Sequence, residues 1–113
     1  MMTTTERLTI ATENDRFRRQ LGIGAAPGRT MLTRGLAALP PGDLEGVLRS
    51  VRAFDAFTPS NDPWHEHDCA RVDTPAGPVL FKFDYFADDN LDSGAENGLR
   101  CYRVLTLMLA EEY

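Results

Sequence analysis

The sequence predicts a small α+β domain: a mostly antiparallel sheet of three to four strands with two helices packed on one face. Three observations predict it. Leu44, Val47, Leu48, Val51 and Phe54 follow the i, i+3, i+4, i+7 spacing of a helix with one buried face. Cys69–Thr74 and Val79–Phe86 alternate with period two around Pro75-Ala76-Gly77-Pro78, the pattern of a hairpin. Leu99–Ala110 carries Val-Leu-Thr-Leu-Met-Leu-Ala, apolar on both faces as a central strand is. At 113 residues the chain is long enough for one core and is read as a single domain, 1–113.

Thr3–Gln20 reads as the first helix. Thr3 and Glu6 stand at capping-box spacing, and Leu8, Ala11, Phe17 and Leu21 fit an apolar stripe. Acids precede Arg16, Arg18 and Arg19, which suits the helix dipole, and Gly22 and Gly24 stop the helix. The three arginines read as a solvated helix end, with an anionic partner as the functional alternative. Ala25–Gly28 reads as a turn and Arg29–Arg34 as a short edge strand. Gly35–Pro40 connects to a second helix opened by Pro41, whose missing N–H costs nothing in a first turn, with Asp43 and Glu45 at the positive end of its dipole.

In the hairpin, Ala70 and Val72 share one face, and Val79, Phe81, Phe83 and Tyr85 line the apolar side of the partner strand. Asp88–Gly98 is a polar, acidic, glycine-rich loop. For Leu99–Ala110 a helix is the rival reading, because leucine and methionine favour helices; the hairpin before it, and the cysteine and tyrosine at its start, weigh for a strand. Leu80, Phe86, Tyr102, Val104 and Met108 are expected to share the sheet face away from the helices, as an apolar patch unless something covers them.

Composition excludes several classes. The apolar runs are short, so no segment is expected to span a membrane. The N-terminus lacks a basic start and an apolar stretch, so no signal peptide and a cytoplasmic location are expected. Cys69 and Cys101 match no paired metal or redox motif and are expected to be free thiols. The formal charge of -5 is split, with a basic first half and a strongly acidic second half from Asp55 onward. Such a surface argues against direct nucleic-acid binding, which runs on phosphate neutralisation, and suits a basic protein partner.

Phe54–Asp68 joins the second helix to the hairpin and holds both histidines and the only tryptophan. In extended backbone His65 and His67 point the same way, so two imidazoles can share a metal completed by Asp55, Asp62 or Asp84. A carboxylate beside an imidazole can also serve a general base, but Ser60 and Ser93 lie in polar loops and Cys69 is poorly placed as a nucleophile. The competing structural reading is that Asn61-Asp62-Pro63 makes a turn, Phe57 and Trp64 tuck under the core, and His67 and Asp68 satisfy the tucked backbone.

These residues resemble a family of short, uncharacterised proteobacterial proteins often carried on plasmids and prophages. The resemblance covers nearly the whole chain. It rests on Asn14-Asp15-Arg16-Phe17-Arg18, Leu39-Pro40, Val51–Thr58, Asn61-Asp62-Pro63, Glu66-His67-Asp68, Lys82-x-Asp84-Tyr85 and Arg103–Tyr113. The family tends to have glycine where His65 stands, and an aromatic then glycine where Cys69-Ala70 stand, so His65 is outside the family pattern. The family implies a setting of mobile elements, where small acidic domains without a catalytic set are often inhibitors of host defence, anti-CRISPR proteins included.

The resulting expectation is a non-enzymatic protein-binding inhibitor, without cofactor or metal, that is a monomer or homodimer and occupies a protein partner such as a Cas subunit or surveillance complex. Its expected contacts are Asp84, Asp88, Asp89, Asp92 and Glu96 with Trp64 and Glu66 of the central loop. One alternative is a small metal-dependent enzyme or metal-binding protein using Asp62, Glu66, His67 and Asp84. Another is a DNA-associated protein using Arg16, Arg18 and Arg19.

Overall fold

The computed structural model describes residues 1–24 and 27–113. Its element order is α1 (Thr4–Gln20), β1 (Gly28–Leu32), α2 (Arg34–Ala37), α3 (Pro41–Ala53), β2 (Cys69–Thr74), β3 (Gly77–Phe86), β4 (Tyr102–Leu109) and a closing 3-10 turn, Ala110–Glu112. The sheet runs β1-β4-β3-β2. The β2–β3 and β3–β4 pairs are antiparallel and the β1–β4 pair is parallel. The fold is therefore α+β with a mixed, mostly antiparallel sheet. The chain goes from one edge to the other through α2 and α3.

Thr3 caps α1 as its spacing with Glu6 predicts: the Glu6 amide donates to Thr3 Oγ1 at 3.1 Å and the Thr3 amide to Glu6 Oε1 at 2.9 Å. These bonds hold the Glu6 carboxyl below its ordinary pKa. Leu21 ends the helix in the left-handed conformation at φ 49°, and Gly22 follows at φ 83°. The inward stripe differs from the expected one. Leu8 is exposed, and the buried residues are Ile10, Ala11, Asn14, Phe17 and Arg18. Their spacing is equally helical, but two of the five are polar, which disguises the face.

The expected turn at Ala25–Gly28 falls partly on residues 25–26, outside the described residues. β1 follows at the sheet edge, two residues shorter at its C-terminal end than expected. Gly28 is needed there, because a Cβ would strike the carbonyl oxygen of Arg103 and the ring of Phe17. The connector expected at Gly35–Pro40 contains a third helix, the single turn α2, which sends Leu36 into the core. α3 begins with Pro41 and buries Val47 and Val51.

One core lies between the helices and a single face of the sheet. Phe17, Leu36, Val47 and Val51 meet Ala70, Val72, Val79, Phe81, Phe83, Leu105 and Leu107. The β3–β4 register sets Leu80 beside Met108, Asp84 beside Val104 and Phe86 beside Tyr102, so the five expected residues do share the other face. That patch is smaller than the sequence implies, since Val104 and Met108 are buried and the rest partly so. Both cysteines are free. Among the described residues no helix is long and apolar enough to cross a membrane.

Candidate functional site

The loop between α3 and β2 starts where Phe54 leaves the helix with extended backbone. Phe54 and Phe57 meet edge to face at 5.0 Å, and both rings stand against Phe81 at 6.0–6.2 Å. Asn61 then closes the expected turn: its Oδ1 accepts the Thr58 amide at 2.7 Å and its Nδ2 donates to the Ala56 carbonyl at 3.1 Å. Asp62 is buried, and its Oδ1 accepts the His67 amide at 3.2 Å.

His65 and His67 both have left-handed backbone, at φ 59° and 54°. The extended geometry that would aim the two imidazoles together is therefore absent. His67 Nδ1 lies 2.9 Å from Asp15 Oδ2 on α1, its Nε2 is 3.6 Å from Asp62 Oδ2, and its ring stacks on Phe57 at 3.9 Å and 3°. With a carboxylate at 2.9 Å, Nδ1 carries the proton. The imidazole thus serves to fasten the loop to α1. Among the described residues no group of three or more histidine, cysteine or acidic side chains is placed to hold a metal ion. The Cys69 thiol is pushed up in pKa by partial burial and by the carboxylates of Asp68 and Asp62, which makes it a weaker nucleophile.

Asn14 makes the second fastening. Its Nδ2 donates to the Glu66 carbonyl at 3.0 Å and to Tyr85 Oη at 2.9 Å, while its Oδ1 accepts Arg103 Nε at 2.7 Å. Arg103 also donates to the Gly98 carbonyl at 2.6 Å, so the same network reaches the loop between β3 and β4. Burial pushes the Tyr85 phenol well above its ordinary pKa. Arg7 makes the third fastening, at 2.8 Å from Glu66 Oε2. Burial, and then the nearby Asp68 carboxylate, raise the Glu66 pKa against the pull of Arg7.

Phe57 tucks under the core as expected, but Trp64 does not. It is 62% exposed, with the Arg7 guanidinium 4.9 Å from its ring. Asp84 lies on the face away from the helices and is already paired with Lys82 at 3.2 Å. Asp88, Asp89, Asp92 and Glu96 are exposed on the β3–β4 loop. That loop has its own frame: Asp88 Oδ1 accepts the Asn90 amide at 2.9 Å, Phe86 bridges Gly94, and the Ala95 amide donates to the Tyr85 carbonyl at 3.0 Å. The expected contact residues therefore fall into two groups near one end of the sheet, the acidic loop and the Trp64–Glu66 corner, with Asp84 apart from both.

The expected solvated cluster on α1 is corrected at Arg18, which is fully buried, while Arg16 and Arg19 are exposed. Asn14, Asp15, Arg18 and Arg103 organise the site and were not expected to. The available signal was their spacing: Asn14 and Arg18 stand one turn apart, in line with Ile10 and Phe17.

A family model described as "Protein of unknown function (DUF3768)" matches residues 32–112. No curated protein and no solved structure matches the chain. The matched segment begins after α1, yet α1 supplies Arg7, Asn14 and Asp15, which hold the central loop.

Proposed function

We propose that this chain, which belongs to the DUF3768 family, is a non-enzymatic binding protein whose acidic β3–β4 loop occupies a basic surface on another protein. One observation carries the reading. Asp88, Asp89, Asp92 and Glu96 are all exposed, and among the described residues none has a cation within ion-pair distance. Unpaired surface carboxylates on a loop braced against the sheet give a fixed negative strip, which steers and orients a positive partner. Exposed Trp64 adds a rigid aromatic of the kind that anchors interfaces.

The resemblance to plasmid and prophage proteins directs this reading toward host defence. The candidate partner is a nucleic-acid-binding Cas surface, whose cations an acidic strip would cover. The test is interference by a CRISPR–Cas system in cells expressing the chain. Wild type lowers interference, and Asp88→Asn/Asp89→Asn/Asp92→Asn restores it. Inhibition that survives this triple substitution removes the charge argument, and no inhibition of any tested system removes the Cas assignment.

A further inference from the structure

β2 is an edge strand, and its free edge carries two opposite charges two residues apart. In an antiparallel pair, alternate residues turn their backbone groups toward the partner strand. The Phe83 amide donates to the Asp68 carbonyl at 2.7 Å, and the register continues as Ala70–Phe81, Val72–Val79 and Thr74–Gly77. Those residues spend their backbone groups on β3. Arg71 and Asp73 therefore direct theirs away from the sheet, where they have no backbone partner among the described residues. Their side chains are 66% and 91% exposed on the face opposite the helices.

We propose that this edge pairs with the same edge of a second copy, antiparallel, about a two-fold axis at Val72. In that register Arg71 of each copy stands opposite Asp73 of the other, and the two residues exchange backbone hydrogen bonds. Val72 faces Val72 on the helix side. A slip by two residues in either direction sets Arg71 against Arg71 or Asp73 against Asp73, which like-charge repulsion disfavours. A slip by one loses the match of outward-facing groups. Charged residues usually blunt an edge strand; here their order makes the edge complementary to itself, as a two-fold contact requires. The opposite edge has no such pattern, and its Arg29 is already bonded to Tyr102 and to the Asp89 carbonyl. In the single copy Arg71 Nε lies 3.7 Å from Asp73 Oδ1 in full solvent, a contact worth little and easily exchanged.

The experiment is sedimentation of the full chain over a wide concentration range, with amide hydrogen exchange at low and high concentration. The wild-type mass rises from one copy to two, and the Arg71 and Asp73 amides slow as it does. Arg71→Asp and Asp73→Arg each weaken association at least about tenfold, because each replaces two attractive cross-strand pairs by two repulsive ones. The double reversal Arg71→Asp/Asp73→Arg restores it. Both sites are exposed, so circular dichroism and melting confirm folding of each of the three variants. A mass of one copy at every concentration overturns the proposal. So does a dimer whose Arg71 and Asp73 amides exchange as in the monomer, or a folded double reversal that stays as weak as the singles.

Discussion

The guanidinium of Arg18 on α1 lies 2.7 Å from the carbonyl oxygen of Val51, in the last turn of α3. A helix leaves its final carbonyls without internal partners, and here a side chain from another helix supplies one. Arg18 Nη1 is also 3.4 Å from the Arg52 carbonyl, Nη2 is 2.9 Å from Asp15, and the charged plane sits over Phe81 and Phe57 at 5.2 and 5.6 Å. Burial pulls the guanidinium pKa down while Asp15 pulls it back up.

Removing that group should be among the most damaging single changes in the chain. Arg18→Ala leaves Asp15 with only His67 as a donor and takes a charged donor from the last carbonyls of α3, and breaking a buried pair in this way costs about 3–5 kcal/mol. Arg18→Lys recovers only part, since one ammonium cannot reach both Asp15 and the α3 carbonyls while covering two rings. Denaturant unfolding of both variants checks this; a loss near 1 kcal/mol for the alanine variant would show that Arg18 is not what joins the helices.

The sheet was legible from sequence because each strand shows its surroundings. β2 and β3 alternate, with one face in the core, and β4 is apolar on both sides, being central. α1 was harder to read. Arg16, Arg18 and Arg19 all match the dipole at a helix C-terminus, and nothing local separates the one that turns inward. What separates it is the end of α3, thirty-three residues away along the chain. Likewise His65 and His67 look like a strand pair until the two left-handed residues are seen, and period-two reasoning has no bearing on such backbone. The capping box and the Asn61 turn were legible because their partners lie within five residues.

The two histidines have the same backbone but opposite consequences for mutation. Left-handed backbone costs a non-glycine residue about 1–2 kcal/mol. His65 is exposed, so His65→Gly should stabilise the fold by about 1 kcal/mol. His67→Gly relieves the same strain but removes the bond to Asp15 and the stack on Phe57, and should destabilise. Melting temperatures of the two variants, moving in opposite directions, are the check.

Asp68 should give a pH-dependent effect. Burial, with a further push from Asp62, raises its pKa, whereas its own amide and His67 pull the other way. A carboxyl raised in the folded state holds a proton that the unfolded chain has already lost. Stability then falls as pH rises from the ordinary carboxylate value through the raised one, and the cost is fully present at neutral pH. Asp68→Asn should therefore be more stable than wild type at pH 7, with the difference fading as acid protonates the native carboxyl. Paired melting curves across that range test the sign; a constant difference would show that charge is not the cause.

The last expectation concerns the fully buried Asn14, which joins Tyr85, Arg103 and the Glu66 carbonyl. Tyr85→Phe removes one of its bonds and should cost about 1 kcal/mol. Asn14→Ala strands Arg103 Nε and the Glu66 carbonyl together, and each buried group left unpaired costs about 1–3 kcal/mol, so a loss of about 3 kcal/mol is expected. Because both substitutions break the same Asn14–Tyr85 bond, the double variant should lose less than the sum, by at least about 0.5 kcal/mol. Denaturation of the four proteins gives that coupling directly. Additive losses would mean that the Asn14–Tyr85 bond adds nothing to the brace, which would then reach the sheet and the acidic loop through Arg103 alone.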